Sequence, residues 1–392
     1  MLDGLDEIEW RRLGHAYGAA DDVPGRLRDL TSPDPDLRIE TLGSLYTTIV
    51  HQGNRFQASA YAVPFLLELL ADPAVPERGD VVGLLAALAI GQDATVLPDG
   101  VPVAAFRRAA EGGRELLAAT PPPREYVEYA YLESLSEADR DRLWAYTHLA
   151  VYDAVRAGVP LLRRLLDEAD PGLHVPAAYA LAWFPEEAAG SLPALAGAMA
   201  GAGPAGRATM LVAGGLLGAA PDVGLRDDPD PRVRWAAAVG RARVLGARAD
   251  EATAETLLTW AADPPDEAAP DDGWVPFLDG DLAGYAALAL RQLGPGYADR
   301  AFDALLHRLP GVDGERALTV LGEALRSAFP DGPLPAGTPA TALTSRQRRL
   351  AETLAQATDP WLIDGVEFGN VSMLVTEHGL PRSRVALRGH LD

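Results

Sequence analysis

Two short phrases alternate along this chain, and their alternation restricts it to pairs of helices connected in series. The first is an aliphatic residue followed by Pro and then by Leu at helical spacing. It occurs as Val23-Pro24…Leu27…Leu30, Val63-Pro64-Phe65-Leu66…Leu69-Leu70, Val159-Pro160-Leu161-Leu162…Leu165-Leu166, and in shorter form as Leu192-Pro193-Ala194-Leu195. Proline is tolerated in the first helical turn because the N–H it lacks would have no intrahelical acceptor there, so each phrase predicts a helix start. The Leu positions supply one apolar stripe. The second phrase is Pro33-Asp34-Pro35-Asp36-Leu37-Arg38, repeated as Pro229-Asp230-Pro231-Arg232-Val233-Arg234 and, with His in the Arg place, as Asp170-Pro171-Gly172-Leu173-His174. Here Asp caps the following helix, Pro occupies its first turn, and the Arg lies along the edge of the stack.

The starts at Val23, Val63, Val159 and Leu192 are 40, 96 and 33 residues apart, a unit of two helices interrupted by one long insertion. That period falls in the range of helical-hairpin repeats. With its Asp-Pro-x-[Leu/Val]-Arg corner followed by an Ala/Leu-rich second helix, in Arg38–Val50 and Arg234–Leu245, the chain resembles the HEAT-repeat family. The resemblance spans most of Val23–Pro330, is clear in about four units, and weakens between Gln92 and Gly158. It implies an all-α solenoid of stacked hairpins over residues 1–330, a scaffold rather than an activity.

Composition removes other classes. With 48% hydrophobic and 23% charged residues over 392 positions the chain is no disordered polymer. The absence of Cys excludes disulfides, thiolate metal sites and Cys nucleophiles. A net charge of −22 opposes a nucleic-acid ligand, since affinity for polyanions comes from Lys and Arg replacing condensed counterions. All 34 basic residues are Arg, in keeping with a high-GC bacterial coding bias. The opening Met1-Leu2-Asp3-Gly4-Leu5-Asp6-Glu7 lacks the charged start and apolar run of a secretory signal, which predicts a cytoplasmic protein. The uncharged windows Ala188–Gly206 and Ala208–Pro221 are too interrupted or too short to span a bilayer, so no membrane partner is expected.

The insertion, about residues 92–158, holds a helical stretch at Val103–Ala119, then Pro121-Pro122-Pro123, then an aromatic block with Tyr126, Tyr129, Tyr131, Trp144, Tyr146 and Tyr152. Insertions in solenoids often decorate a binding face, although the same rings can simply pack the insertion onto its neighbours. Asp263–Asp281, with seven acidic residues and no basic one, reads as a solvated loop in which Trp274 and Phe277 are either partner anchors or ties back to the stack. Residues 331–343 form a Pro/Gly linker, and 344–392 a cap of three short helices.

Chemistry has few candidates. His15, His51, His148, His174, His307, His378 and His390 form no His-x-His, His-Glu-x-x-His or His-Glu pair, so the ligands of the HEAT-like metal hydroxylases are missing. Gly214-Gly215-Leu216-Leu217-Gly218 lacks the strand and the Lys of a phosphate loop. No metal, cofactor or catalytic residue is assigned. One polar cluster stands out, Ile49-Val50-His51-Gln52-Gly53-Asn54-Arg55-Phe56, placed by its spacing at the end of the second helix of the first clear repeat, with Gly53 as the C-cap. His51 there would serve the helix end; alternatively His51, Gln52, Asn54 and Arg55 form a polar pocket in which Arg55 clamps a partner's carboxylate. With Tyr126, Tyr129 and Trp144 these are the candidate partner-binding residues. The expected function is a non-catalytic scaffold whose groove takes a protein with a basic surface. The alternatives are an enzyme or carrier with a small-molecule pocket near the aromatic insertion, and an immunity or inhibitor protein against a cationic toxin or nuclease.

Overall fold

The computed structural model describes residues 2–121, 128–265, 273–335 and 337–392, without the side chains of 128–130. The protein is mostly helical and its contacts divide it into two compact units, residues 1–202 with 216–218 and residues 203–215 with 219–392.

The first unit carries α1 (Val23–Asp29), α2 (Pro35–Thr48), α3 (Gln57–Ala71), α4 (Arg78–Ile90), α5 (Val103–Ala109), α6 (Gly113–Ala119), α7 (Glu128–Glu133), α8 (Glu137–Arg156), α9 (Val159–Leu165), α10 (His174–Leu181) and α11 (Ala188–Met199). Within it α1 packs on α2, α3 on α4 and α9 on α10, and a row forms in which α4 lies between α2 and α10. The long α8 covers α3 and α4 and carries α5 and α6 on its outer side. The second unit holds α12 (Pro204–Leu216, up to Gly215), α13 (Pro231–Leu245), α14 (Glu251–Ala262), α15 (Leu282–Leu290), α16 (Ala298–Arg308), α17 (Gly314–Ala328), α18 (Ser345–Gln356), α19 (Gly369–Glu377) and α20 (Arg384–Leu391). There α13, α15 and α17 pack in one row while α14 meets α16, and α17 receives α18 and α19.

The Asp-Pro corners do what their chemistry requires. Asp34, Asp170 and Asp230 accept the N–H two residues on, at 3.0, 3.0 and 2.8 Å, and a Pro comes directly after each. Arg38 and Arg234 then donate back to the carbonyls of Ser32 and Asp228, six residues earlier, at 2.8 and 2.6 Å. His174, in the Arg place of the degenerate copy, makes the same bond to Glu168 O at 2.9 Å. Arg38 also reaches Glu77, at the start of α4, with two 2.7 Å bonds, which links one hairpin to the next.

The structure corrects the reading of the other phrase at two places. Pro24 and Pro160 do sit in the first turns of α1 and α9, but Pro64 and Pro193 lie inside α3 and α11. In α3 the start moves back to Gln57 because Ser59 Oγ accepts the Phe56 N–H at 2.8 Å and donates to Ile49 O at 2.6 Å. The exposed Pro64 then removes only one ladder bond. The helical stretch expected over Val103–Ala119 is divided into α5 and α6 by Gly112 in the left-handed region.

Much of the aromatic block is core. Tyr131 and Leu143 centre a small cluster with Leu116, Leu117, Leu135 and Tyr146. Tyr152 is fully buried, its hydroxyl bonded to Glu186 at 2.7 Å. In the acidic loop Phe277 is buried and Trp274 is exposed, so one ring ties the segment down and the other does not. Among the described residues, no helix is long and apolar enough to cross a membrane and no cluster of His, Asp and Glu could hold a metal ion.

Candidate functional site

The polar cluster at residues 50–55 is not a helix end. α2 stops at Thr48, and the chain turns into a two-residue hairpin, β3 (Val50–His51) paired with β4 (Asn54–Arg55); two others, β1 (Gly14–His15) with β2 (Gly18–Ala19) and β5 (Leu362–Ile363) with β6 (Val366–Glu367), complete the strand content among the described residues. Gln52 and Gly53 at the tip have φ of 48° and 79°. Positive φ at both central positions defines the type I′ turn, whose twist matches that of the strands it joins. Gly53 therefore serves a hairpin turn and not a helix C-cap, and His51 pairs with Asn54 and caps nothing.

The hairpin separates its four polar side chains. Gln52 is exposed at the tip, His51 and Asn54 are half-buried, and Arg55 points inward with only 5% of its surface accessible. Arg55 therefore does not stand at the open mouth of a groove, and only the Nη2 end of its guanidinium reaches solvent. Its Nη1 donates to Gly53 O at 2.6 Å. Gly91, at the end of α4, seals this arrangement: with φ of 78°, a Cβ there would stand 2.3 Å from Gly53 O and 2.4 Å from Arg55 Nη1.

Two further residues join the site from a distance in sequence. The imidazole of His148, on α8, accepts a long 3.4 Å bond from the Arg55 backbone N–H through Nε2 and packs 5.1 Å from the Trp144 ring, one turn earlier. On the other side Tyr17, exposed between β1 and β2, meets the His51 ring edge to face at 5.4 Å. The first hairpin is held there by the Ala16 N–H bond to Thr48 O at 3.0 Å and by His15, bonded to Asp22 at 2.9 Å. Of the predicted site residues the structure brings together His51, Gln52, Asn54 and Arg55, and connects Trp144 to them through His148. Tyr126 lies outside the described residues, and of Tyr129 only the main chain, in α7, is described. Tyr17, Gly91 and His148 are additions of the folded chain to the predicted set; the spacing of Trp144 and His148 by one helical turn was the available signal.

The electrostatics are those of a buried cation beside a neutral base. Burial pushes the Arg55 guanidinium down to about 10. Burial, and then the charge of Arg55, push His148 down to about 3. An imidazole that resists protonation in the fold but not in the unfolded chain makes the unfolded state the stronger proton binder below about pH 6.5. Stability tied to His148 is therefore present above that pH and is lost as the pH falls toward 3. The loss between pH 7 and 4.5 is expected to be on the order of 1–2 kcal/mol, the ring being partly wet. His148→Gln keeps an acceptor without a titrating group, so its melting temperature should fall less than that of the wild type over this range; parallel curves would mean that His148 carries none of the acid sensitivity.

No protein-family model matches the chain, and no curated protein matches it.

Proposed function

We propose that the protein is a non-catalytic binding scaffold of HEAT-like hairpins, a member of that solenoid class, whose first unit receives a protein with a basic surface. The observation that carries this reading is the outward strip of α2. Ile39 is 66% exposed and Tyr46 37%, and they share one helix face with Asp36, Glu40 and Gly43. Tyr46 leans over the neighbouring α4, where Gly83 leaves room for its hydroxyl. The facing residues of α4 are Asp80, Gly83 and Ala87, small or acidic. Burial first, and repulsion from Glu77 second, hold the Asp80 carboxyl above its usual range, so a cation placed there would be welcome. Exposed large apolar side chains framed by carboxylates suit a partner that presents arginine or lysine around an apolar anchor. The exposed Gln52 and the half-exposed His51, Asn54 and Trp144, with Tyr17, supply a second contact area in the same unit.

The test is affinity capture from the native host, repeated with an Ile39→Arg/Tyr46→Ala variant of unchanged melting temperature. The expected result is a basic protein retained by the wild type, lost by the variant, and bound more slowly as salt rises because the long-range attraction is screened over about 8 Å. A partner held equally by the variant, or held independently of salt, would overturn the reading.

A further inference from the structure

Among the described residues three arginines are buried to a similar degree: Arg55, Arg78 and Arg232 retain 5, 7 and 6% of their surface. Two of them have a carboxylate. Arg78 meets Glu168 at 2.5 Å, and Arg232 meets Asp230. Arg55 has none: among the described residues no carboxylate lies within ion-pair distance of it, and its Nε is buried without a hydrogen-bond partner. An isolated charge withdrawn from water costs several kcal/mol unless something pairs with it, so its persistence asks for a counter-charge that the described residues do not supply.

The unused edge of the guanidinium has a definite shape. Nη1 is occupied by Gly53 O, which leaves Nε–H and Nη2–H, two parallel donors on one side of the plane. Nη2 makes no hydrogen bond and is not among the fully buried unpartnered atoms, so the Nη2 end of this edge touches solvent while Nε lies covered just behind it. Elsewhere in the same protein that edge holds a carboxylate. Arg232 gives Nε and Nη2 to the two oxygens of Asp230 at 3.2 and 2.9 Å, and Arg38 gives them to those of Glu77 at 2.7 Å each.

We propose that Arg55 anchors a binding site for a monoanionic carboxylate, which meets Nη2–H at the surface and completes a side-on grip on Nε–H as the atoms covering Nε give way. The guanidinium is already fixed by Gly53 O and by the close approach of Gly91, so the fork loses little freedom on binding. Burial and the charge of Arg55 hold His148 in its neutral form, so that ring adds no second positive charge. One charge therefore answers one charge, which favours a carboxylate over a phosphate that carries up to two. The His148 ring, which accepts the Arg55 backbone N–H and packs 5.1 Å from the Trp144 ring, lies beside the same segment. A free acid and a chain-terminal carboxylate present the same pair of oxygens, so the site does not depend on the protein-partner reading.

The experiment tracks the Arg Nε–H resonances of isotope-labelled full-length protein during titration with sodium benzoate, with benzamide and inorganic phosphate as controls. The expected result is a saturable shift of the Arg55 signal with benzoate, at a dissociation constant on the order of millimolar, and none with benzamide. A short peptide with a free or an amidated C terminus separates the sources: a shift with the free acid extends the site to chain ends, and a shift with benzoate alone assigns it to small acids. Arg55→Lys keeps the charge but not the fork, and should abolish the benzoate response. If that variant fails to fold, the wild-type titration still decides. An Arg55 signal unmoved by benzoate, moved equally by benzamide, or moved only by phosphate overturns the proposal.

Discussion

Trp235→Ala should lower the melting temperature of the second unit by about 10 °C or more. Trp235 is fully buried in α13, 6.1 Å from the Trp260 ring and 5.7 Å from that of Tyr285, and its indole N–H donates to Leu282 O at 2.9 Å. It thereby joins α13, α14 and α15 at a single point. Truncating a buried Trp to Ala removes its transfer energy and leaves a cavity, about 3–5 kcal/mol together, and the Leu282 carbonyl would lose the indole as its second donor. For a domain of this size each kcal/mol moves the midpoint by about 2–4 °C. Trp274→Ala is the built-in contrast: that ring is 57% exposed, and its removal should change the midpoint by no more than a degree or two. Calorimetry on both variants checks the pair, and equal shifts would mean that burial does not rank these two rings.

What the sequence disclosed was local. An Asp two residues before a helical N–H, with Pro next to it, needs no distant partner, and Asp34, Asp170 and Asp230 all perform as read. The i to i−6 bond of Arg38 and Arg234 even survives replacement by His174. Tertiary contacts decided the misread places. Whether Gly53 ends a helix or turns a hairpin depends on the conformation of its neighbours, since both uses want positive φ; here Gln52, a residue seldom placed in that region, shares the turn. Pro64 marked a helix start by its own chemistry, but Ser59 had already begun the helix through its bonds to Phe56 and Ile49. The candidate site suffered most. Arg55 was legible as a cation near a turn, whereas its burial under Gly91 and its pairing with His148, 93 residues further along, exist only in the folded chain.

Ending the chain after Pro335 should cost the second unit about 3–6 kcal/mol and expose a dye-binding surface. The residues removed do not merely extend the chain beyond α17. α18, α19 and the Trp361 segment pack on it, and its own Val320, Leu321, Ala324 and Leu325 are buried. Within the removed part Leu350, Leu354, Val371, Val375 and Leu387 are fully buried and Trp361 nearly so. Some of this burial is internal to the tail, but even two such side chains turned toward the body give the stated loss. The connection is also tight: the Leu334 N–H bonds His378 O at 3.1 Å, the Phe329 and His378 rings meet at 5.4 Å, and Gly379, at φ of 78°, would set a Cβ 2.5 Å from Leu334 O. Ion pairs contribute less. Arg346 pairs with Asp299 and Arg349 with Asp303, but Asp299 and Asp303 are open to water, where such pairs are worth at most about 1 kcal/mol. Asp299→Asn/Asp303→Asn in the full-length chain should therefore shift the midpoint by only a few degrees, while truncation lowers it by about 10 °C and raises dye fluorescence. Equal losses would assign the docking to charge, and an unchanged midpoint after truncation would show that residues 336–392 do not support the unit on which they rest.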